Sequence, residues 1–321
     1  MKLVKSQNKN FFISVIMSVY NDEKYLDASI NSILEQTYKN FEFIILNDGS
    51  TDRSSEIIYN YQKKDSRIKY INGNRLGLTK KLNLGIKESN YNFIARHDSD
   101  DISRKDRLEK QINFFKLNPE YTLCGSYAEI INDKGSVLRK IKTVSSDKNI
   151  KKKLNYSNIF IHSSVMINKN NFKNLYYDNR FQVSQDYELW SRIAKNNKCY
   201  IIPDFLVKNR RHISNISNKL TLKQEKNSVI IGFLYKFNLE LPQIKIEDSA
   251  KSFEQIVNYF SSKNINYKND ILIRKYIYLY KIVSFSSILR INYLQYYKII
   301  LFYFHKPSML FKRFVNNILR Y

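Results

Sequence analysis

Residues Tyr91–Ala95 read YNFIA, and Arg96–Asp101 follow directly with RHDSDD. A short apolar run rich in aromatic residues, ending in a polar segment, is typical of a buried strand. The polar segment places three carboxylates within four positions, an arrangement that is costly unless a cation or hydrogen-bond donors lie among them. The stretch therefore predicts a strand whose carboxyl end forms a charged binding loop.

Three further strand-like runs precede this one, and helical patterns separate them. The runs are Phe12–Val19, Phe41–Leu46 and Ile68–Ile71, and the helices are Glu23–Gln36, a second from a Ser50 or Thr51 cap to about Lys63, and Asn74–Ser89. Alternating strands and helices predict parallel strands with right-handed crossovers, hence an α/β domain. The ligand of such a sheet lies outside the carboxyl ends of its strands.

The pattern becomes mixed after residue 121 and changes again near residue 220. Strand-like runs at Thr122–Ile131, Val137–Ile141, Ser163–Ile167 and Tyr200–Ile202 accompany a basic segment, Ser145–Lys153, and a helix over Tyr187–Asn196. Residues 271–321 contain nine Lys and Arg and no Asp or Glu among many aromatic and aliphatic residues. We predict a catalytic domain over residues 1–220 and a basic, aromatic-rich helical region over residues 221–321.

The chain of 321 residues is 43% hydrophobic, which excludes disorder, and its formal net charge is +25. That excess favours nucleic acid, an anionic membrane or an anionic substrate as a partner, although an A/T-rich genome would produce much of the same bias. Two cysteines, Cys124 and Cys199, form no disulfide framework and are predicted to be buried in a protein of a reducing compartment. The sequence contains no run of 18 apolar residues, so it predicts no transmembrane helix.

Three acidic clusters are candidates for chemistry. Asp98 and Asp100 could direct oxygens at one Mg²⁺ or Mn²⁺ that carries a diphosphate, or else form a solvated loop that caps the next helix. Asp48 lies in a turn after the second strand, and both loops should emerge at the same sheet edge. Asp186 is either a general base or the N-cap of the helix that follows it.

Among the histidines, His212 follows Arg210 and Arg211, where it could meet phosphate or a metal, while a lone histidine is more often structural. His162 precedes a strand-like run. The chain lacks the glycine-rich dinucleotide and phosphate loops, the serine-hydrolase elbow and Cys/His metal spacing. These absences exclude nucleotide-dependent dehydrogenases, P-loop kinases and serine hydrolases.

Taken in order, seven segments over residues 12–217 resemble the family-2 glycosyltransferases, which are inverting, use sugar nucleotides and have the GT-A fold. The segments are Ile13–Asn21, Gln36–Glu42 with Asn47–Asp52, Leu82–Ile86, Ala95–Ser103, Arg107–Gln111, Gln185–Trp190 and Arg211–Ser217. Each is weak alone, and their order is specific. Gln185 and Asn47 depart from the family, in which many members carry Glu and Asp there, so a supporting charge is absent at each place.

The resemblance implies a role for each matching residue. Tyr20 and Asp48 would hold the nucleoside. Asp98 would lie by the ribose, with Arg96 beside it as a donor to the departing diphosphate, and Asp100 would ligate Mn²⁺ or Mg²⁺. Asp186 would be the catalytic base, and His212 would touch the phosphate or the metal. His162, Tyr187 and Trp190 are candidates to pack against an acceptor sugar.

The resemblance also implies a nucleotide sugar as the donor, usually UDP-linked, carrying a hexose or an N-acetylhexosamine. The acceptor would be a hydroxyl of a lipid-linked or cell-surface glycan, as in lipopolysaccharide or capsule synthesis. The basic C-terminal region predicts peripheral contact with an anionic membrane, on the cytoplasmic face of the inner membrane, or else a helical subdomain that packs on the catalytic domain with its lysines solvated. The alternatives are a basic nucleic-acid-binding protein and a non-catalytic sugar-nucleotide-binding module. We expect no nucleic acid partner, and the sequence leaves the oligomeric state open.

Overall fold

The computed structural model describes residues 11–212 and 221–239. The chain divides into two compact units, residues 1–267 and 268–321, and every described residue belongs to the first. Most of the predicted helical region from 221 to 321 therefore lies outside the described residues, and its boundary at residue 220 stays a prediction. In the part that is described, no helix is long and apolar enough to cross a membrane.

The described residues form nine strands and seven α-helices. The strands are β1 (Ile13–Val19), β2 (Phe41–Asn47), β3 (Ile68–Ile71), β4 (Phe93–Arg96), β5 (Ile102–Ser103), β6 (Tyr121–Ile131), β7 (Val137–Ile141), β8 (Met166–Asn168) and β9 (Lys198–Arg210). The helices are α1 (Glu23–Leu34), α2 (Ser54–Lys64), α3 (Leu78–Lys87), α4 (Arg107–Leu117), α5 (Asp147–Leu154), α6 (Gln185–Asn196) and α7 (Thr221–Lys236).

One mixed sheet organises these elements, in the order β3-β2-β1-β4-β8-β6-β9-β5, with β7 paired to β6. The first four strands are mutually parallel, as the alternation of strands and helices predicts. Strand β8 then pairs antiparallel with β4, and the long strands β6 and β9 run parallel to each other. The sheet is thus parallel on the side of β1–β4 and mixed beyond it.

Strands β1, β2 and β4 are buried because helices cover both faces of the sheet. Val15 and Met17 of β1 pack in a cluster with residues of α1, α2 and α4. Ile16, on the opposite face, packs in a second cluster with residues of α3, α5 and α6. Cys124 and Cys199 are fully buried free thiols, one in each cluster, as predicted.

Two predicted element starts are wrong because polar groups have other partners. Ser50 and Thr51 do not cap α2, which begins at Ser54; their side chains instead accept hydrogen bonds from the backbone and side-chain nitrogens of Asn21. Helix α3 begins at Leu78 instead of Asn74, after Gly77 with a φ of 90°. The segment before α3 is therefore a loop, and its backbone N–H groups are available to the site.

Two predicted strands have different bounds. The run Ser163–Ile167 is shorter as a strand because a 3₁₀ turn at His162–Ser164 precedes β8. Strand β9 continues to Arg210, far beyond the predicted Tyr200–Ile202. Its register with β6 shifts at Pro203 and Asp204, which have no partners on β6. A proline within a strand-like run argues against a strand, so the sequence pattern did not predict the continuation beyond Ile202.

Helix α7 packs closely against the body of the protein at Gly232. A Cβ at this position would lie 2.8 Å from the carbonyl oxygen of Asn155 and 3.0 Å from the hydroxyl of Tyr187. Asn227 also donates a hydrogen bond of 2.9 Å to the carbonyl of Val183. Gly232 therefore permits an approach that a larger residue would prevent.

We expect Gly232→Ala to lower the free energy of unfolding by about 1 to 3 kcal/mol, because the added methyl group meets a backbone oxygen. Helix propensity alone would give the opposite sign, since Ala is favoured over Gly within a helix. Urea unfolding measures the difference. Gly73→Ala is the control: its Cβ would lie 3.2 Å from one side-chain atom, Lys81 Nζ, and within 4 Å of no other, so it should change stability by less than Gly232→Ala does. A stabilised Gly232→Ala protein would contradict the packing of α7.

Candidate active site

The loops after β1, β2 and β4 emerge at one edge of the sheet. Val19 pairs with Asn47 in the parallel register, and Ile16 pairs with Arg96. The backbone N–H of Asp48 donates to the carbonyl of Val19. The prediction that the acidic loops share an edge is confirmed, and these loops define the candidate site.

Asp48 organises one end of this edge. Its two carboxylate oxygens accept hydrogen bonds from the backbone N–H groups of Leu76, at 2.6 Å, and Gly77, at 3.0 Å. The buried ammonium of Lys81 donates to the carbonyl of Asn47 at 2.8 Å and lies 3.8 Å from Asp48 Oδ1. The carboxylate therefore fixes the loop that leads from β3 into α3.

That loop places Arg75 over Tyr20. The guanidinium carbon of Arg75 lies 3.5 Å from the centroid of the Tyr20 ring, within the range of a cation–π contact. Tyr20 is 38% exposed, so the pair forms an open surface beside the buried Asp48. Sequence reasoning missed Arg75, although an arginine in a Gly/Asn-rich loop at the carboxyl end of a strand was a signal for it.

Arg96 pairs with Asp98 within the charged loop. The buried guanidinium donates from Nη2 to Asp98 Oδ1. Burial by itself would raise the pKa of Asp98, but the positive charge of Arg96 lowers it. Arg96 Nε is buried and has no hydrogen-bond partner among the described residues. The pair therefore consists of an ionised Asp98 carboxylate and a guanidinium whose Nε–H has no acceptor among the described residues.

Asp101 holds the loop in place and does not face the site. Its carboxylate accepts hydrogen bonds from the Ser163 hydroxyl, from Asn209 Nδ2 at 2.9 Å and from the backbone N–H of Arg210 at 2.7 Å. Burial, with the charges of Asp100 and Asp98, raises the pKa of Asp101 well above its usual value. The solvated, helix-capping loop considered from the sequence is therefore wrong, since Asp106 occupies the N-cap of α4.

Asp100 and His212 form a pair at the end of β9. His212 Nε2 lies 2.9 Å from Asp100 Oδ2, and Arg210 Nε donates to the carbonyl of Asp100 at 2.9 Å. Together they offer a carboxylate oxygen and an imidazole nitrogen to one cation. No cluster of three or more ligating side chains occurs within residues 11–212 and 221–239. The pair fits Mn²⁺ or Mg²⁺ that takes its remaining ligands from water and a diphosphate.

Asp22, at the carboxyl end of β1, belongs to the same group and was missed. Its carboxylate accepts a hydrogen bond from the Ser99 hydroxyl, between Asp98 and Asp100. Burial raises the pKa of Asp22 to about 6, and the charges of Asp100 and Asp98 also act to raise it. The acid that ends the first apolar run was a signal, because β1, β2 and β4 are each followed by an acid within three residues.

Asp186 lies in the first turn of α6. Ser184, with a φ of 63°, occupies the N-cap, so the alternative that Asp186 caps the helix is wrong. Asn158 Nδ2 donates to Asp186 Oδ2 at 2.7 Å. Burial raises the pKa of Asp186 to about 6, and the charge of Asp98 acts in the same direction. Asn158 lies 28 positions away and could not be recognised from the sequence.

An aromatic cluster lies within electrostatic range of both Asp98 and Asp186. His162 Nε2 is 2.9 Å from the hydroxyl of Tyr177. Burial raises the pKa of Tyr177, and the charges of Asp186 and Asp98 act in the same direction. Burial, and the charge of Arg96, lower the pKa of His162 to about 3, so this imidazole is neutral. Tyr187 and Trp190 are fully buried in the core, so their proposed packing against a sugar face is wrong.

Comparison with known proteins identifies this arrangement. A family model for glycosyl transferase family 2 matches residues 14–176. The O-antigen biosynthesis glycosyltransferase WbnJ of Escherichia coli is 38% identical over 189 residues, which are 58% of this chain and 72% of that protein. The chain belongs to glycosyl transferase family 2. It is a glycosyltransferase, as the seven segments predict.

Two solved structures share the fold of this family-2 glycosyltransferase. S. aureus TarS 1–349 in complex with UDP-GlcNAc has a TM-score of 0.57 at 18% identity, covering 84% of this chain and 79% of that one. The mannosyltransferase PcManGT from Pyrobaculum calidifontis, in complex with GDP-Man and Mn²⁺, has a TM-score of 0.55 at 12% identity, covering 92% and 81%. The predicted GT-A fold is confirmed.

Asp186 should make this glycosyltransferase less stable above pH 6 than below pH 4. Its folded pKa of about 6 exceeds the unfolded value of about 3.9, so the folded state binds more protons and stability falls as the pH rises between them. We expect Asp186→Asn to raise the free energy of unfolding at neutral pH by about 3 kcal/mol. That gain should vanish near pH 4.

Urea unfolding across this pH range measures the gain. Glu56→Gln makes the same change of charge at an exposed position of α2 and should produce no comparable gain. An Asp186→Asn protein that is no more stable than the wild type at pH 7 would contradict the burial of an ionised Asp186.

Proposed function

We propose that this glycosyltransferase moves a hexose or an N-acetylhexosamine from a UDP-linked donor to a hydroxyl of a lipid-linked or cell-surface glycan, with inversion at the anomeric carbon. Asp186 is the general base, and Asp100 with His212 holds Mn²⁺ or Mg²⁺. The relative named for O-antigen biosynthesis and the structural neighbour with UDP-GlcNAc support the acceptor and donor classes.

The state of Asp186 carries the proposal. A carboxylate with a pKa of about 6 is ionised at neutral pH and yet basic enough to take a proton from a hydroxyl as that hydroxyl attacks. Asn158 fixes its orientation without neutralising it. Asp98, by contrast, is matched by Arg96 and is a poor base. The two environments separate the roles of two carboxylates at one sheet edge.

The reaction follows from these positions. Asp186 removes the proton from the acceptor hydroxyl while its oxygen forms a bond to the anomeric carbon, opposite the leaving group. The bond between that carbon and the diphosphate oxygen breaks, and the electron pair leaves with the nucleoside diphosphate. Arg96 Nε, which lacks a partner among the residues that the structure describes, is a donor to the charged end of the donor substrate. The cation neutralises charge on the diphosphate when it is bound.

The nucleoside lies at the other end of the site in this proposal. Tyr20 and Arg75 present an exposed aromatic ring and a guanidinium plane, both of which stack on a base. Asp48 keeps the supporting loop in position and has lone pairs left for the nucleoside. In this proposal Asp48 serves the nucleoside, Asp98 and Asp100 serve the ribose and the diphosphate, and Asp186, within electrostatic range of Asp98, serves the acceptor.

The setting proposed for this reaction is the cytoplasmic face of the inner membrane, during synthesis of lipopolysaccharide or capsule. The basic C-terminal region, which lies mostly outside the described residues, would contribute peripheral contact with anionic lipid. Family membership favours an enzyme over both alternatives raised by the sequence, a nucleic-acid-binding protein and a non-catalytic module.

Asp186→Asn should lower turnover by about 10²- to 10⁴-fold, the usual contribution of a general base, while leaving UDP affinity unchanged. Release of nucleoside diphosphate from a panel of sugar nucleotides, with Mn²⁺ or Mg²⁺ and cell-envelope extract as the acceptor, measures turnover. Glu188→Gln neutralises a carboxylate on the same helix that pairs with Arg192, and it should retain most of the activity. Near-normal turnover in Asp186→Asn would disprove the assignment of the base.

Asp100→Ala should weaken the binding of UDP in the presence of Mn²⁺ and leave binding in its absence unchanged, because a metal ligand is lost. His212→Ala should show the same pattern. Calorimetric titration with UDP, in the presence and in the absence of Mn²⁺, measures the two UDP affinities. Asp27→Ala, an exposed position on α1, serves as the control. A Mn²⁺ effect of the same size in Asp100→Ala and in the wild type would show that the cation lies elsewhere.

A further inference from the structure

The segment of residues 134–153, which we name the basic strip, carries a large excess of positive charge. It contains eight Lys and Arg and a single acid, Asp147. Seven of the basic side chains are exposed: Lys134, Arg139, Lys140, Lys142, Lys148, Lys152 and Lys153. Asp147 is already engaged, since it pairs with Lys151 at 3.0 Å and accepts the backbone N–H of Cys199 at 2.9 Å. The strip therefore presents positive charge outwards.

The strip comprises β7, the loop after it and most of α5, and it runs alongside β9. The ammonium groups of Lys140 and Lys142 lie 5.1 and 6.0 Å from the centroid of the Phe205 ring on β9. Further along, the carbonyl of Ser145 accepts the backbone N–H of Ile201. Lys140 also pairs at 3.3 Å with Glu129, the neighbouring acid on β6. The other exposed cations extend on both sides of that pair.

Apolar side chains are exposed among these cations. Val137 and Leu138, on β7, are 47% and 60% exposed, and Tyr156, just beyond α5, is 48% exposed. Apolar groups between lysines are unfavourable in water and are typical of surfaces that contact the headgroup region of a bilayer. A hydrophilic polyanion would gain nothing from them. The mixture favours an anionic lipid surface over a soluble polyanion.

The ends of the strip are tied to the candidate active site. The carbonyls of Asn132 and Asp133, in the turn before β7, accept hydrogen bonds of 3.0 Å from Arg210 Nη1, and Arg210 Nε bonds to the carbonyl of Asp100. Beyond the other end, Asn158 bonds to Asp186. The strip therefore lies, along the chain, between two segments that contact the candidate active site.

We propose that the basic strip docks this glycosyltransferase on an anionic lipid bilayer, through phosphate headgroups that contact its lysines and arginines and acyl chains that receive Val137 and Leu138. This contact lies within the catalytic domain and is separate from any made by the C-terminal region. One purpose of this docking, the presentation of a lipid-linked acceptor to Asp186, rests on the proposed function. The docking itself does not depend on that function.

Cosedimentation of the full chain with vesicles of phosphatidylglycerol and phosphatidylcholine tests the proposal. Lys152→Glu/Lys153→Glu should lower the partition coefficient at least about tenfold, since each basic residue near an anionic surface contributes substantially to binding. Lys63→Glu/Lys64→Glu is the matched control. It reverses two adjacent exposed lysines in the last turn of α2, at the opposite edge of the sheet, and should bind nearly as the wild type does. The C-terminal region is common to both variants.

Val137→Ser/Leu138→Ser should weaken vesicle binding and leave binding to inorganic polyphosphate unchanged. Equal losses in the two lysine variants, or unchanged binding in the α5 variant, would overturn the proposal. Binding to polyphosphate without binding to vesicles would also overturn it, in favour of a soluble polyanion. Asp186→Asn should bind vesicles as the wild type does, so a failed base assignment and a failed docking surface give different results.

Discussion

The architecture of this glycosyltransferase depends on keeping several carboxylates together at the ends of buried strands. Asp22, Asp98, Asp100 and Asp101 crowd one sheet edge, where like charges repel and water is largely excluded. Each is stabilised by a different group: a hydroxyl, a guanidinium, an imidazole and a set of amides. Much of the surrounding structure, including the length of β9, serves to supply these partners.

Asp186 is the exception, and the difference is informative. It accepts a hydrogen bond from an amide but has no ion pair within residues 11–212 and 221–239, so burial leaves its pKa raised, whereas Arg96 lowers the pKa of Asp98. An aspartate is thus neutralised by an arginine at position 98 and left as a proton acceptor at position 186. The protein keeps an energetically costly carboxylate where the proposed chemistry needs one.

Sequence patterns predicted the parallel half of the sheet well, because β1 to β4 are buried runs with no interruption. They predicted the shared edge for the same reason. They missed most of β9, where Pro203 and Asp204 break the register. They also missed Asn158, since its contact with Asp186, 28 positions away, leaves no trace in one sequence. Trp190 was misplaced because its residue type does not show which side of a helix is buried.

The hydrogen bonds of Asp101 have a consequence for how the protein folds. Its partners Asn209 and Arg210 are 108 and 109 positions away along the chain. Contacts of such long range form slowly, because the loop between them must be closed first. Until β9 is in place, the carboxylates of the loop after β4 lack these donors and repel one another. During synthesis, the catalytic edge therefore cannot be completed until residue 210 has left the ribosome.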